Sequence, residues 1–144
     1  MIQEMNISRT LVGRFELGDG LLESIQVFIE KENITAAWVN IIGGTKRFEF
    51  YYYNQETKEY ETRIEEKQLE IMNATGNVSM KDGKPFPHIH ITCGDVDGNA
   101  IGGHLKSGTT ILAAEIIFWV LEGDPLKRVE HPATGLSLWE CLDQ

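Results

Sequence analysis

The sequence predicts an α+β domain, a mostly antiparallel β-sheet with one main helix near the N-terminus. Runs rich in β-branched and aromatic residues recur along the chain, separated by Gly, Asn and Asp turn signals. Only one stretch, 21–33, shows a clear helical pattern of apolar residues. The connections are of hairpin length, too short for parallel crossovers. A chain of 144 residues suits one domain, here expected to span 1–144.

The elements follow in order. R-T-L-V-G-R-F-E-L (9–17) alternates loosely and reads as a first strand, which Gly18-Asp19-Gly20 breaks. In the helical stretch Leu21, Leu22, Ile25, Phe28 and Ile29 share one face. Asp19 favours its N-terminus, and Asn33 is a plausible terminator. T-A-A-W-V-N-I-I (35–42) is the next strand, and Gly43-Gly44 is expected to turn the chain into K-R-F-E-F-Y-Y-Y (46–53). N-Q-E-T-K (54–58) reads as a hairpin tip. Lys67–Met72 and Gly76–Met80 are two short strands, followed by a turn at Lys81–Lys84 and a strand from His88 to Cys93. Thr109–Leu121 is long enough for a helix, but its β-branched and aromatic content favours a buried strand. Arg128–Glu130 and Leu136–Leu142 close the sheet.

Composition narrows the function. The net charge is −9, with 13 Lys and Arg against 22 acids. Lys81, Lys84, Lys106, Lys127 and Arg128 are scattered singles or a single pair, with no basic run. Because phosphate neutralisation supplies nearly all non-specific affinity for DNA, the balance speaks against autonomous DNA binding. No apolar run reaches the roughly 20 residues of a membrane span, and no leader pattern opens the chain. The expected location is the cytoplasm. Cys93 and Cys141 are too few and too isolated for a disulfide framework or a thiolate zinc site, and read as reduced and buried.

Three of the four histidines carry the chemistry. His88 and His90 lie in G-K-P-F-P-H-I-H-I (83–91), and His104 in G-G-H-L (102–105). Between them lies the turn signal D-V-D-G-N (95–99). Residues two apart on a strand share a face, roughly 6.5 Å apart. If the turn folds His104 back beside that pair, three imidazoles converge, and Gly102-Gly103 would let the backbones approach closely. Three histidines with an open fourth position suit a reactive zinc site, for chemistry or small-ligand capture. The bland alternative is a hydrogen-bonded structural cluster. His131, beside Pro132, reads as a turn residue.

Glu115 is the only charge in the apolar run 109–121. It is the candidate catalytic group, as a base or a hydrogen-bond acceptor behind a metal ligand. The alternative is a partner such as Arg14, Arg47 or Arg128, inside the sheet or across a subunit boundary. D-V-D-G lacks the later Glu and flanking helices of a calcium loop, so a hairpin turn accounts for it. No nucleophile elbow and no phosphate-binding loop is present.

The run G-K-P-F-P-H-I-H-I-T-C-G-D-V-D-G-N-A-I-G-G-H-L, followed by A-A-E-I-I, resembles the signature of the PPC domain (plants and prokaryotes conserved). The likeness extends to G-R-F-E-L-G-D-G-L-L-E-S-I and A-A-W-V-N-I-I-G-G, and so covers nearly the whole chain. It implies a central antiparallel sheet assembling as a homotrimer. His88, His90 and His104 would then be metal ligands, most plausibly for zinc, and Glu115 matches the family's glutamate in its late strand. In plants the domain follows an AT-hook with an R-G-R-P core, and stand-alone prokaryotic members are commonly described as DNA-binding by that association. This sequence has no R-G-R-P. It also lacks the Glu after H-x-H and the P-x-G-x-x-H motif of the cupins.

Overall fold

A computed structural model describes residues 2–140. The order is β1 (Asn6–Phe15), α1 (Leu21–Lys31), β2 (Ala37–Asn54), β3 (Glu59–Glu65), β4 (Leu69–Lys81), β5 (Lys84–Gly94), β6 (Ala100–Leu105), β7 (Thr110–Glu122), β8 (Lys127–Glu130) and β9 (Ser137–Trp139). The strands form one sheet and the fold is α+β, as the sequence predicts. β2 pairs β4, β4 pairs β5, β5 pairs β6, and β6 returns to β2 at Phe50 and Tyr51. These four strands therefore close a ring of pairings, with β7 along the free edge of β2 and β1 beyond it.

The helix forms as its spacing predicts. Leu21, Ile25 and Ile29 are fully buried against the sheet, and burial of each contributes about 1.5–3 kcal/mol. Its start has no side-chain cap, since Gly20 occupies that position. Its end is set by Asn33, at φ 53°. There Ile34 N donates to Ile29 O at 2.8 Å and Asn33 N to Glu30 O at 3.2 Å, the paired bonds that close a helix on a left-handed residue.

Several boundaries differ from the sequence expectation. Gly43-Gly44 does not turn the chain: β2 runs through it with a register shift. A Cβ at Gly43, where φ is 150°, would meet Ala113 O at 2.0 Å, so glycine is there for the close approach of β7. The two strands expected at 67–72 and 76–80 are one, β4, bulged between Ile71 and Asn73. β3 has no counterpart among the expected strands, because its exposed E-Y-E-T-R-I-E has no buried face to alternate against. β8 pairs β4 in parallel at two positions, Met80–Lys127 and Lys81–Arg128, within the mostly antiparallel sheet that the sequence predicts. The long stretch 109–121 is the strand β7, as its β-branched content favours. The end of the strand expected at 136–142, and Cys141, lie outside the described residues.

The sheet separates two kinds of surface. Val39, Ile41, Ile89, Ile91, Ile116 and Phe118 point into the core under α1. The alternate residues Trp38, Asn40, Ile42, His88, His90, Glu115, Ile117 and Trp119 point the other way. Cys93 is a free, buried thiol, pushed up to about 12 by burial and so kept unreactive at neutral pH. No helix among the described residues is long and apolar enough to cross a membrane.

Candidate metal centre

The turn folds β6 back on β5 as the spacing predicts. Asp95 closes it: its Oδ1 accepts from Asp97 N at 3.1 Å and Asn99 N at 2.9 Å, an aspartate-anchored hairpin turn. In the resulting register His104 lies directly opposite His90, and Gly102 opposite Thr92. A Cβ on Gly102 would meet Ile91 O at 2.3 Å, and one on Gly103 would meet Tyr51 O at 2.9 Å, so both glycines let neighbouring strands close around the site.

His88, His90 and His104 come together. One ring nitrogen from each lies within 4.8 Å of the others. His88 Nε2 and His104 Nδ1 are 3.2 Å apart, and the His90 and His104 rings meet edge to face at 4.3 Å. Zinc with bonds of about 2.0–2.1 Å needs tetrahedral donors roughly 3.3 Å apart, and the His88–His104 separation already matches. Burial, then the Arg128 charge and the two neighbouring histidines, lowers His88 to about 4. Burial and then His90 lower His104 to about 4 as well. Both rings are therefore neutral at pH 7, each with one nitrogen lone pair, so the donor set fits a metal ion.

Sequence reasoning missed the groups behind the triad. Arg128, buried on β8, donates from Nε to Ser79 Oγ at 2.8 Å, from Nη1 to Ser137 O at 2.8 Å and from Nη2 to Asn77 Oδ1 at 2.9 Å. Its Nη2 also lies 3.2 Å from His88 Nδ1. A guanidinium only donates, so His88 Nδ1 accepts and its proton sits on Nε2, facing His104. No ion pair joins Arg128 to a carboxylate among the described residues, so a cation stands buried behind the site. On the other side Tyr51 stacks on His104 at 5.0 Å, and Tyr60 meets it edge-on at 6.2 Å. A small cavity of about 100 Å³ opens beside His88 and His104, lined by Leu22, Phe86, Pro87 and Leu105 together with Gln26 and Tyr51. That is well below the roughly 300–1,000 Å³ of a drug-sized pocket. Nothing local in the sequence signals Arg128, 24 positions beyond the last histidine of the triad.

Glu115 stands apart. It is exposed on β7, opposite Arg14 and Ile42 in register, and makes no hydrogen bond or ion pair among the described residues. Each expected partner is engaged elsewhere. Arg14 pairs with Glu16, Arg47 with Glu49 and Glu66, and Arg128 with the groups above. His131 is exposed in the β8–β9 turn, where its N–H bonds Leu136 O, as its sequence context suggests.

The sequence profile of the Plants and Prokaryotes Conserved (PCC) domain matches residues 2–122. The chain belongs to this family. The match takes in α1, all three histidines and Glu115, while β8 and β9, with Arg128, lie beyond it. Among solved structures, the metal-containing protein of Archaeoglobus fulgidus is 38% identical, with 97% of this chain and 99% of that one covered and a TM-score of 0.92. The plant- and prokaryote-conserved protein of Pyrococcus horikoshii is 36% identical over the whole of both chains, also at 0.92. A candidate DNA-binding protein of Bacteroides thetaiotaomicron is 25% identical, covering 95% of this chain and 96% of that one at 0.86. None of the curated proteins compared with the chain matches it.

Proposed function

We propose that this PCC-domain protein is a homotrimer in which His88, His90 and His104 hold a divalent transition metal, zinc first, with a position left open to a small ligand. The convergence of three ring nitrogens, two of them on imidazoles neutral at pH 7, carries the reading. The metal-containing relative in Archaeoglobus supports it. Bound zinc would supply Lewis-acid polarisation at the open position. The chain's own residues do the rest: Arg128 orients His88, Tyr51 braces His104, and the apolar cavity walls admit only a small molecule. The trimer rests on the family resemblance and on exposed apolar residues such as Val12, Trp38 and Ile42. The cytoplasm is its compartment in this reading, in keeping with the free thiol of Cys93. Metal analysis of untagged protein purified without chelator, with zinc titration and sedimentation, tests the reading. Stoichiometric metal that is lost in a trimeric His90→Ala variant supports it; no metal and no uptake of zinc overturns it.

The Bacteroides relative's description favours a second reading, a DNA-associated module. The net charge of −9 opposes it. Fluorescence polarisation with duplex DNA at ~50 mM salt, where phosphate contacts are strongest, decides: no binding at micromolar protein removes this reading.

A further inference from the structure

The face that carries the histidines continues, strand by strand, into an apolar surface that holds Glu115 and, opposite it, Arg14. The register places His90 in a row with Thr75 of β4, Asn40 of β2, Ile117 of β7 and Val12 of β1. His88 shares the next row with Asn77, Trp38 and Trp119. Val12, Trp38 and Ile42 are exposed there, and Ile117 and Trp119 half-buried. Glu115 stands among them without a partner among the described residues, its cross-strand neighbour Arg14 being turned to Glu16.

Two features on this face are incomplete in one chain. Three imidazole ligands leave a metal dication short of negative charge and of a fourth group. The Glu115 carboxylate makes no ion pair among the described residues, since Arg14 opposite it is paired to Glu16. They cannot meet within one chain: β2 and β4 lie between β7 and β5, roughly 14 Å across the sheet, and His104 meets β2 at Tyr51, far along that strand from Ile42, the partner of Glu115. That exceeds the reach of a glutamate side chain. A second copy laid on this face brings them together, since the apolar half of one copy then covers the histidine half of the next. Such a head-to-tail contact closes into a ring when the rotation allows.

We infer that Glu115 acts in trans, presenting its carboxylate to the open position of the three-histidine site on a neighbouring copy of this chain. The inference rests on the metal reading of that site and goes beyond it, making each site the joint product of two subunits. Glu115 is then a site residue that no single chain can place.

Complementation between variants tests this. Zinc affinity is measured by competition with a chromophoric chelator, and assembly by native mass spectrometry. Glu115→Gln should stay oligomeric and bind zinc about 10- to 100-fold more weakly than the natural protein. His90→Ala/His104→Ala should bind none. Co-assembled from equal amounts, the two variant chains should regain full-affinity sites, about a quarter of all sites for random mixing around a closed ring. Unchanged affinity in Glu115→Gln overturns the inference and leaves the metal reading standing. So does a monomeric natural protein that still takes up zinc, or the absence of regained sites in oligomers shown to contain both chains. A natural protein that takes up no zinc overturns both.

Discussion

Lowering the pH should unfold the metal-free protein earlier than its carboxylates alone would dictate, because His88 and His104 are kept neutral. Both rings are held near 4, against an ordinary 6.5, chiefly by burial. A histidine whose folded value is depressed contributes stability that is present above 6.5 and lost as pH falls towards 4, since only the unfolded chain then gains the proton. The gap corresponds to about 3 kcal/mol for each ring. Both rings are partly open to solvent, so about half that value is a fairer expectation, roughly 3 kcal/mol for the pair. The measurement is urea unfolding of chelator-treated protein between pH 7.5 and 4.5, beside a His88→Asn/His104→Asn variant. The natural protein should lose about 3 kcal/mol more than the variant across that window. Imidazole NMR signals give the site-specific check. Titration of His88 and His104 near 6.5 would refute the claim that burial keeps the site neutral.

Two further outcomes follow from the contacts behind the triad. Arg128→Met should cost about 3 kcal/mol in urea unfolding, because Asn77, Ser79 and the Ser137 carbonyl each lose a charged donor. The same change should move the His88 titration upward towards its ordinary value, since the guanidinium charge is the second cause holding it down. Gly102→Ala should destabilise by about 1–3 kcal/mol and weaken zinc uptake, as its Cβ would lie 2.3 Å from Ile91 O and push β6 off β5. Near-natural unfolding and zinc titration curves for that variant would show that the strands do not need the close approach.

What the sequence made legible was whatever repeats with the period of its own element. The helix could be read because Leu21, Ile25 and Ile29 return every turn and Asn33 can take the left-handed conformation that ends it. The triad could be read because a two-residue spacing and a turn of known chemistry are both local. β3 was invisible for the opposite reason: its residues are exposed on both faces, and what makes it a strand is the edge of β2. Gly43-Gly44 misled because glycine that permits a turn also permits a close crossing, and Ala113, seventy residues away, decides which. Glu115 stands out in the sequence as an isolated charge, but a run of thirteen mostly apolar residues suggests burial on both faces. Only one face of β7 is covered in this chain.

The chemistry of the site depends on the same alternation. In β5 Ile89 and Ile91 go inward, and His88 and His90 therefore outward. A slip of one residue would bury both imidazoles and expose both isoleucines, so the core that stabilises the fold also sets the register of the ligands. The ladder fixes His90 against His104 without any side chain being asked to hold them. His88 lies two residues further along and has no histidine opposite, and this is the ring to which Arg128 is bonded. A guanidinium is a poor second partner for a metal-bound imidazole, whose remaining nitrogen ordinarily carries a proton and donates it. Loading the site therefore requires Arg128 to release His88, so that the proton can move to Nδ1, or His88 to give up its single ring proton. Either way β8 and β9, the strands beyond the family match, are coupled to the state of the triad through one side chain.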